Sequence, residues 1–146
     1  MIYTELTNRA MRIAYDAHAG QTDQCGIPYI FHPYHLAEEM QDEITTCVAL
    51  LHDVLEDTAV TYEELCKEFP KEVTDALLLL THKKGTDYFE YVKAIKQNPY
   101  AKAVKLADLN HNSDQTRMAG ADIPEEKKQY WREKYARAKA ILQEND

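Results

Sequence analysis

Apolar residues recur at helical spacing along almost the whole chain, and strand-like alternation is nearly absent. Leu6, Ala10, Ile13, Ala14 and Ala17 form one stripe and predict a first helix over residues 4–18. The segment GQTDQCGIP, with Gly20, Gly26 and Pro28, predicts a loop. A second helix is expected just after His32-Pro33, because proline suits a first turn and drives its predecessor out of helical backbone. Residues 43–57 read as one continuous third helix. Thr61 and Glu64 fit a capping box, with Val60 and Leu65 placed as a hydrophobic staple, so another helix starts there. Further helices are expected from Pro70 to near Gly85, over residues 87–97 and over residues 100–113. A last helix opens at Pro124, with Trp131, Tyr135, Ala138 and Leu142 on one face. The pattern therefore predicts an all-α fold of about seven or eight helices, forming one compact domain over residues 1–146.

Composition narrows the class. A chain of 146 residues, 45 % of them hydrophobic, can bury roughly 70 % of its unfolded surface. Four glycines and five prolines are too few for a disordered chain or a many-turned β fold. No apolar run approaches the ~20 residues that span a bilayer. The opening MIYTELTNRAMR carries charges where a signal peptide would be apolar, so a soluble cytoplasmic protein without membrane partners is expected. Cys25, Cys47 and Cys66 show no CxxC spacing, and Cys47 on an apolar stripe reads as a small buried hydrophobe. The net charge of −8 excludes bulk nucleic acid as a partner. It also means that an anionic substrate would need a metal or a local basic pocket.

Candidate chemistry concentrates in ALLHDVLEDT, residues 49–58. On a continuous helix Cys47, Val48, Leu50, Leu51, Val54 and Leu55 share one side, while His52, Asp53, Glu56 and Asp57 share the other. A solvated acidic helix end has this pattern. However, carboxylates near a helix C-terminus oppose its dipole, and three within five residues repel unless a divalent cation lies among them. Adjacent His52 and Asp53 can bind one metal through nitrogen and oxygen, leaving Glu56 and Asp57 to handle a water. Two ligands do not make a site, and the remainder must come from elsewhere. PYIFHP places His32 at a helix entrance, and KLADLNHNSD puts Lys105, Asp108 and Asn112 on one helical face. His111 points away from that face and reads as structural.

Histidine, then His-Asp, then a distant aspartate resembles the HD-domain phosphohydrolase superfamily. Within it, AHAGQ, GIPYIFHP, ALLHDVLEDT, TYEELCKEFPKEV, LTHKKG and VKLADLNHN resemble the hydrolase domain of RelA/SpoT enzymes and the stand-alone small alarmone hydrolases. The likeness covers residues 17–112. It implies an all-α fold holding one divalent ion, usually Mn²⁺, on His32, His52, Asp53 and Asp108. It further implies that Glu56 and Asp57 position or deprotonate water, and that Asn112 lies beside the ribose and phosphates. The reaction implied removes pyrophosphate from the 3′ position of guanosine tetra- or pentaphosphate. At 146 residues there is no room for a synthetase domain, so hydrolysis alone is expected. One departure matters: the Arg-Lys pair that follows AHAGQ in these hydrolases is replaced by Asp23 and Gln24. Lys83, Lys84, Lys105, Lys127, Arg132 or Lys134 could compensate, and Tyr130 sits where the last helix often presents an aromatic to the pocket. Two alternatives stand beside this: hydrolysis of another phosphorylated nucleotide, such as NADPH or a nucleoside phosphate, and a non-catalytic nucleotide- or metal-sensing module.

Overall fold

Side-chain caps punctuate the chain. Thr4, Asp42, Thr61, Asp87 and Asn98 each accept backbone N–H groups from the first turn that follows, worth about 1 kcal/mol apiece. In the computed structural model, which describes residues 1–144, they open five of the nine α-helical segments. These are α1 (Glu5–Ala17), α2 (Phe31–Glu38), α3 (Glu43–Leu51), α4 (Val54–Asp57), α5 (Tyr62–Glu68), α6 (Lys71–Leu80), α7 (Tyr88–Ile95), α8 (Pro99–Asn112) and α9 (Glu125–Gln143). A short 3₁₀ turn, Gln115–Met118, joins α8 to the approach to α9. Counted as two arms of one bent helix, α3 and α4 reduce the number to eight, against the seven or eight expected.

Three boundaries differ from the sequence expectation, each for a physical reason. First, α2 begins at Phe31, so His32 and Pro33 lie inside its first turn rather than ahead of it. Proline is tolerated there because first-turn N–H groups have no partner within the helix. Second, residues 43–57 are not one helix. The chain breaks at His52 and Asp53, where Asp53 adopts φ −108° and ψ 0° and serves as N-cap of α4. This sparsely populated backbone region is one that functional residues often use. Third, α6 stops at Leu80 instead of near Gly85. The Thr81 hydroxyl donates back to Leu77 O at 2.9 Å, and the His82 N–H is captured by Glu56 Oε1 at 2.7 Å.

Helix α3 is the centre of the fold, packed by α1, α2, α6 and α8. Every residue from 45 to 52 is buried, so the helix is not amphipathic as its wheel suggested: the face opposite Val48 and Leu51 meets protein. Leu36, Leu50, Leu51, Leu77, Leu109 and Leu142 fill the core around it. Cys47 lies within that core as expected, and burial pushes its thiol up to about 12, leaving it inert. Between α1 and α2, Gly26 takes φ +80° and lets the loop fold back, pairing Thr22 with Pro28. Among the described residues no helix is long and apolar enough to cross a membrane.

The burial of α3 generates a stability prediction. Leu51→Ala should cost about 3 kcal/mol in urea unfolding, as deletion of a fully buried leucine does. Leu78→Ala, on the exposed side of α6, should stay within about 0.5 kcal/mol.

Candidate metal centre

Three separate elements deliver imidazoles and carboxylates to one point. His32 comes from the first turn of α2, His52 and Asp53 from the break after α3, and Asp108 from the middle of α8. Ligand-capable atoms of His32, His52 and Asp53 lie within 4.8 Å of one another. His32 Nε2 is 2.8 Å from Asp108 Oδ1, and His52 Nε2 lies 2.9 Å from Asp53 Oδ2 and 3.8 Å from Asp108 Oδ1. His32, His52 and Asp108 are buried, with Asp53 at the cavity side.

The tautomers suit a cation. His52 Nδ1 donates to Ala49 O at 2.7 Å, which leaves the Nε2 lone pair facing the carboxylates. That Nε2 is buried and makes no well-aligned hydrogen bond, although Asp53 Oδ2 lies 2.9 Å away. Burial opposes charge on this ring, but Asp53 and Asp108 overcome it and carry the His52 pKa up to about 9. Asp53, despite its burial, is held down to about 2 by the same ring and by a hydrogen bond from the Tyr29 hydroxyl. The cluster thus draws a proton into a buried seat because it lacks positive charge. A divalent ion fits there better than a proton does, given two nitrogen and two oxygen donors.

Further groups orient these donors. His32 Nδ1 lies 2.7 Å from His111 Nδ1, and the two rings stack with centroids 5.0 Å apart. Burial, with Arg117 and His32 adding to it, presses the His111 pKa down to about 4, so its ring is neutral and can accept a hydrogen bond from His32 Nδ1–H. His32 then presents Nε2 toward Asp108, the arrangement by which second partners fix a ligating histidine. His111, which the sequence analysis read as structural, therefore orients a candidate ligand. Asp108 is steadied by Lys105 Nζ at 2.9 Å and by Asn112 Nδ2 at 3.1 Å. Burial alone would raise its carboxyl, but the Lys105 ammonium keeps it well below the usual range.

A cavity of about 440 Å³ opens over the cluster. Of the residues singled out from sequence, His32, Asp53, Glu56, Asp57, Lys105, Asp108 and Asn112 line it, and His52 lies just behind. Burial and the Asp53 charge raise the carboxyls of Glu56 and Asp57. Glu56 is anchored by the His82 N–H, whereas the Asp57 carboxylate accepts no protein hydrogen bond among the described residues. Tyr130 is a correction: it is 60 % exposed and does not line the cavity, whose α9 wall is formed by Lys134 and Tyr135. Lys134, one turn on from Tyr130 and on the same face of α9, has its ammonium 5.9 Å from the Tyr130 ring, so the tyrosine stands exposed beside the cation that lines the wall. Asp23 and Gln24 do line the cavity. Among the candidate compensating cations Lys105 and Lys134 line it, while Lys83, Lys84, Lys127 and Arg132 do not. Tyr29 and Arg117 also reach the cavity without having been singled out. Tyr29 was within reach, three residues ahead of His32 in the same motif. Arg117 lies outside every matched stretch.

The profile described as HD domain matches residues 10–99. The bifunctional (p)ppGpp synthase/hydrolase SpoT of Escherichia coli K12 is 35 % identical over 140 residues, covering 86 % of this chain and 20 % of that protein. The guanosine-3′,5′-bis(diphosphate) 3′-pyrophosphohydrolase of Vibrio cholerae is 36 % identical over 144 residues, covering 88 % and 20 %. The chain thus spans about one fifth of the length of these curated relatives. A solved structure from work on a metazoan ortholog of SpoT that hydrolyzes ppGpp aligns with a TM-score of 0.75 at 23 % identity. That alignment covers 97 % of this chain and 94 % of the other, a likeness of fold. With that profile matched over more than half of its length, the chain belongs to the HD domain family.

Proposed function

We propose that this protein is a metal-dependent phosphohydrolase that releases pyrophosphate from the 3′ position of guanosine tetra- or pentaphosphate. The observation that carries the reading is the meeting of His32, His52, Asp53 and Asp108 donor atoms at one point, with Glu56 and Asp57 beside them in one cavity. The names of the matched bacterial relatives supply the substrate class. His32, His52, Asp53 and Asp108 would hold the ion, with Mn²⁺ the ion proposed.

When bound, a divalent ion supplies Lewis acidity, acidifying water and offsetting charge on a phosphoryl group. The chain supplies the remainder. Asp57 has free carboxylate oxygens and a raised pKa, which suits it to take the proton from the attacking water. Glu56, fixed by the His82 N–H, orients that water. Lys105 keeps Asp108 ionised in its buried position and so preserves the ligand set. Asn112, tied to Asp108 through Nδ2, lies on the cavity wall where ribose and phosphate would be read. Water adds to phosphorus, the bond to the ribose 3′ oxygen breaks, and that oxygen must gain a proton.

One observation favours a second reading. Asp23 and Gln24 sit on the cavity wall, where an anion and an amide disfavour a highly phosphorylated ligand. A less charged phosphorylated nucleotide, such as a nucleoside phosphate or NADPH, is then the substrate, with the same metal chemistry.

Incubation with guanosine tetraphosphate and Mn²⁺ should yield GDP and pyrophosphate. Release of product from another nucleotide alone would move the substrate and keep the chemistry. Mn²⁺ should raise the thermal midpoint of the wild type but not of Asp53→Ala, because only an intact donor set binds the ion in the folded state. Asp57→Asn should retain that thermal shift while losing about 10²–10⁴-fold in turnover. Undiminished turnover in both variants would remove the active-site assignment.

A further inference from the structure

We infer that Arg117 holds a phosphate group of the substrate nucleotide, and that Asp23 competes with the substrate for it. The ligand class rests on the phosphohydrolase reading above; the residue assignment rests on geometry. The cavity carries five carboxylates, Asp23, Asp53, Glu56, Asp57 and Asp108, against three cations, Lys105, Arg117 and Lys134. Lys105 is committed to Asp108 at 2.9 Å in a buried pair. The Lys134 ammonium sits 4.2 Å from the centroid of the Tyr88 ring. Arg117 remains.

Its guanidinium is half engaged. Nη1 donates to His111 O at 3.0 Å and to Asn112 Oδ1 at 3.2 Å, which fixes the group to the end of α8. Nη2 reaches only Asp23 Oδ2, at 3.6 Å, beyond hydrogen-bonding range. Asp23 does not need this contact. Its Oδ1 accepts the N–H groups of Cys25 at 2.8 Å and Ile27 at 3.0 Å, so the loop holds the carboxylate by itself. The pair is therefore loose, and a phosphate, with more charge and oxygens spaced to match the guanidinium fork, displaces the carboxylate.

Arg117 is also placed to influence the reaction centre. Asn112 accepts from Arg117 through Oδ1 and donates to Asp108 through Nδ2. A phosphate seated on Arg117 is thereby held in fixed register with a candidate metal ligand. The same residue lines a second, smaller cavity of about 100 Å³ together with Met118, Ile123 and Trp131. It thus stands between two adjoining cavities, both of which Asp23 and Asn112 also line.

The test is steady-state hydrolysis of guanosine tetraphosphate with Mn²⁺ by Arg117→Gln, Arg117→Lys and Asp23→Asn. Arg117→Gln should raise KM by about tenfold or more, with kcat changed far less. Arg117→Lys should fall between it and the wild type, keeping the charge but losing the fork. Asp23→Asn retains the Oδ1 acceptor for Cys25 and Ile27 and should lower KM, because it removes the competitor. Opposite signs in the Asp23 and Arg117 variants are the signature. An unchanged KM in Arg117→Gln, or a raised KM in Asp23→Asn, overturns the inference, since a purely structural pair would suffer equally from losing either partner. If the wild type shows no turnover, the hydrolase reading falls separately, and equilibrium binding of guanosine tetraphosphate to the Mn²⁺-loaded protein decides. At least tenfold weaker binding by Arg117→Gln supports the inference, and equal binding overturns it.

Discussion

The Lys105–Asp108 ion pair is the constraint on which the site depends. Asp108 is buried in the body of α8, pressed against two imidazoles, and a carboxylate in that position keeps its charge only if something opposes it. Lys105, one turn earlier on the same helix, does so without recruiting a second element. The pair thus lets α8 carry an ionised ligand into the core, where it meets the broken end of α3. Removing either partner would leave an uncompensated buried charge, so fold and site share one electrostatic requirement.

Around that pair the structure grades from committed to available groups. His52 Nδ1, His32 Nδ1 and the Tyr29 hydroxyl are engaged with protein, which fixes the direction of the donor atoms left over. Glu56 is half anchored and Asp57 free, a division that separates orientation from proton transfer. At the rim, Arg117 and Asp23 make a loose charged contact at 3.6 Å. Rigidity falls from the ion seat outward, as expected where the inner groups must be preorganised and the outer ones must exchange partners with a ligand.

Most of the helical architecture was legible from residue spacing, because helical periodicity and capping are local. Thr4, Thr61, Asp87 and Asn98 announce helix starts through side chains that bond within three residues. The departures were tertiary. The end of α6 is set by Glu56 from α4 capturing the His82 N–H, a bond between residues 26 positions apart. The burial of α3 on every side follows from four helices packing on it, which no helical wheel reveals. Tyr130 was placed by resemblance alone, whereas the spacing of Tyr135, Ala138 and Leu142 already marked the face of α9 that turns inward.

The sequence by itself determined an all-α chain and the residue types of the candidate ligand set, since motif residues and helical spacing are written in order along it. Only the tertiary structure decided which nitrogen of each histidine is free, that His111 stands behind His32, and that Arg117 faces Asp23 across the cavity rim. Those facts depend on contacts between segments 79 and 94 residues apart in the case of His32 with His111 and Asp23 with Arg117. Local propensity carries no information at that range; packing of α8 against α2 and the return of the chain through the 3₁₀ turn supply it.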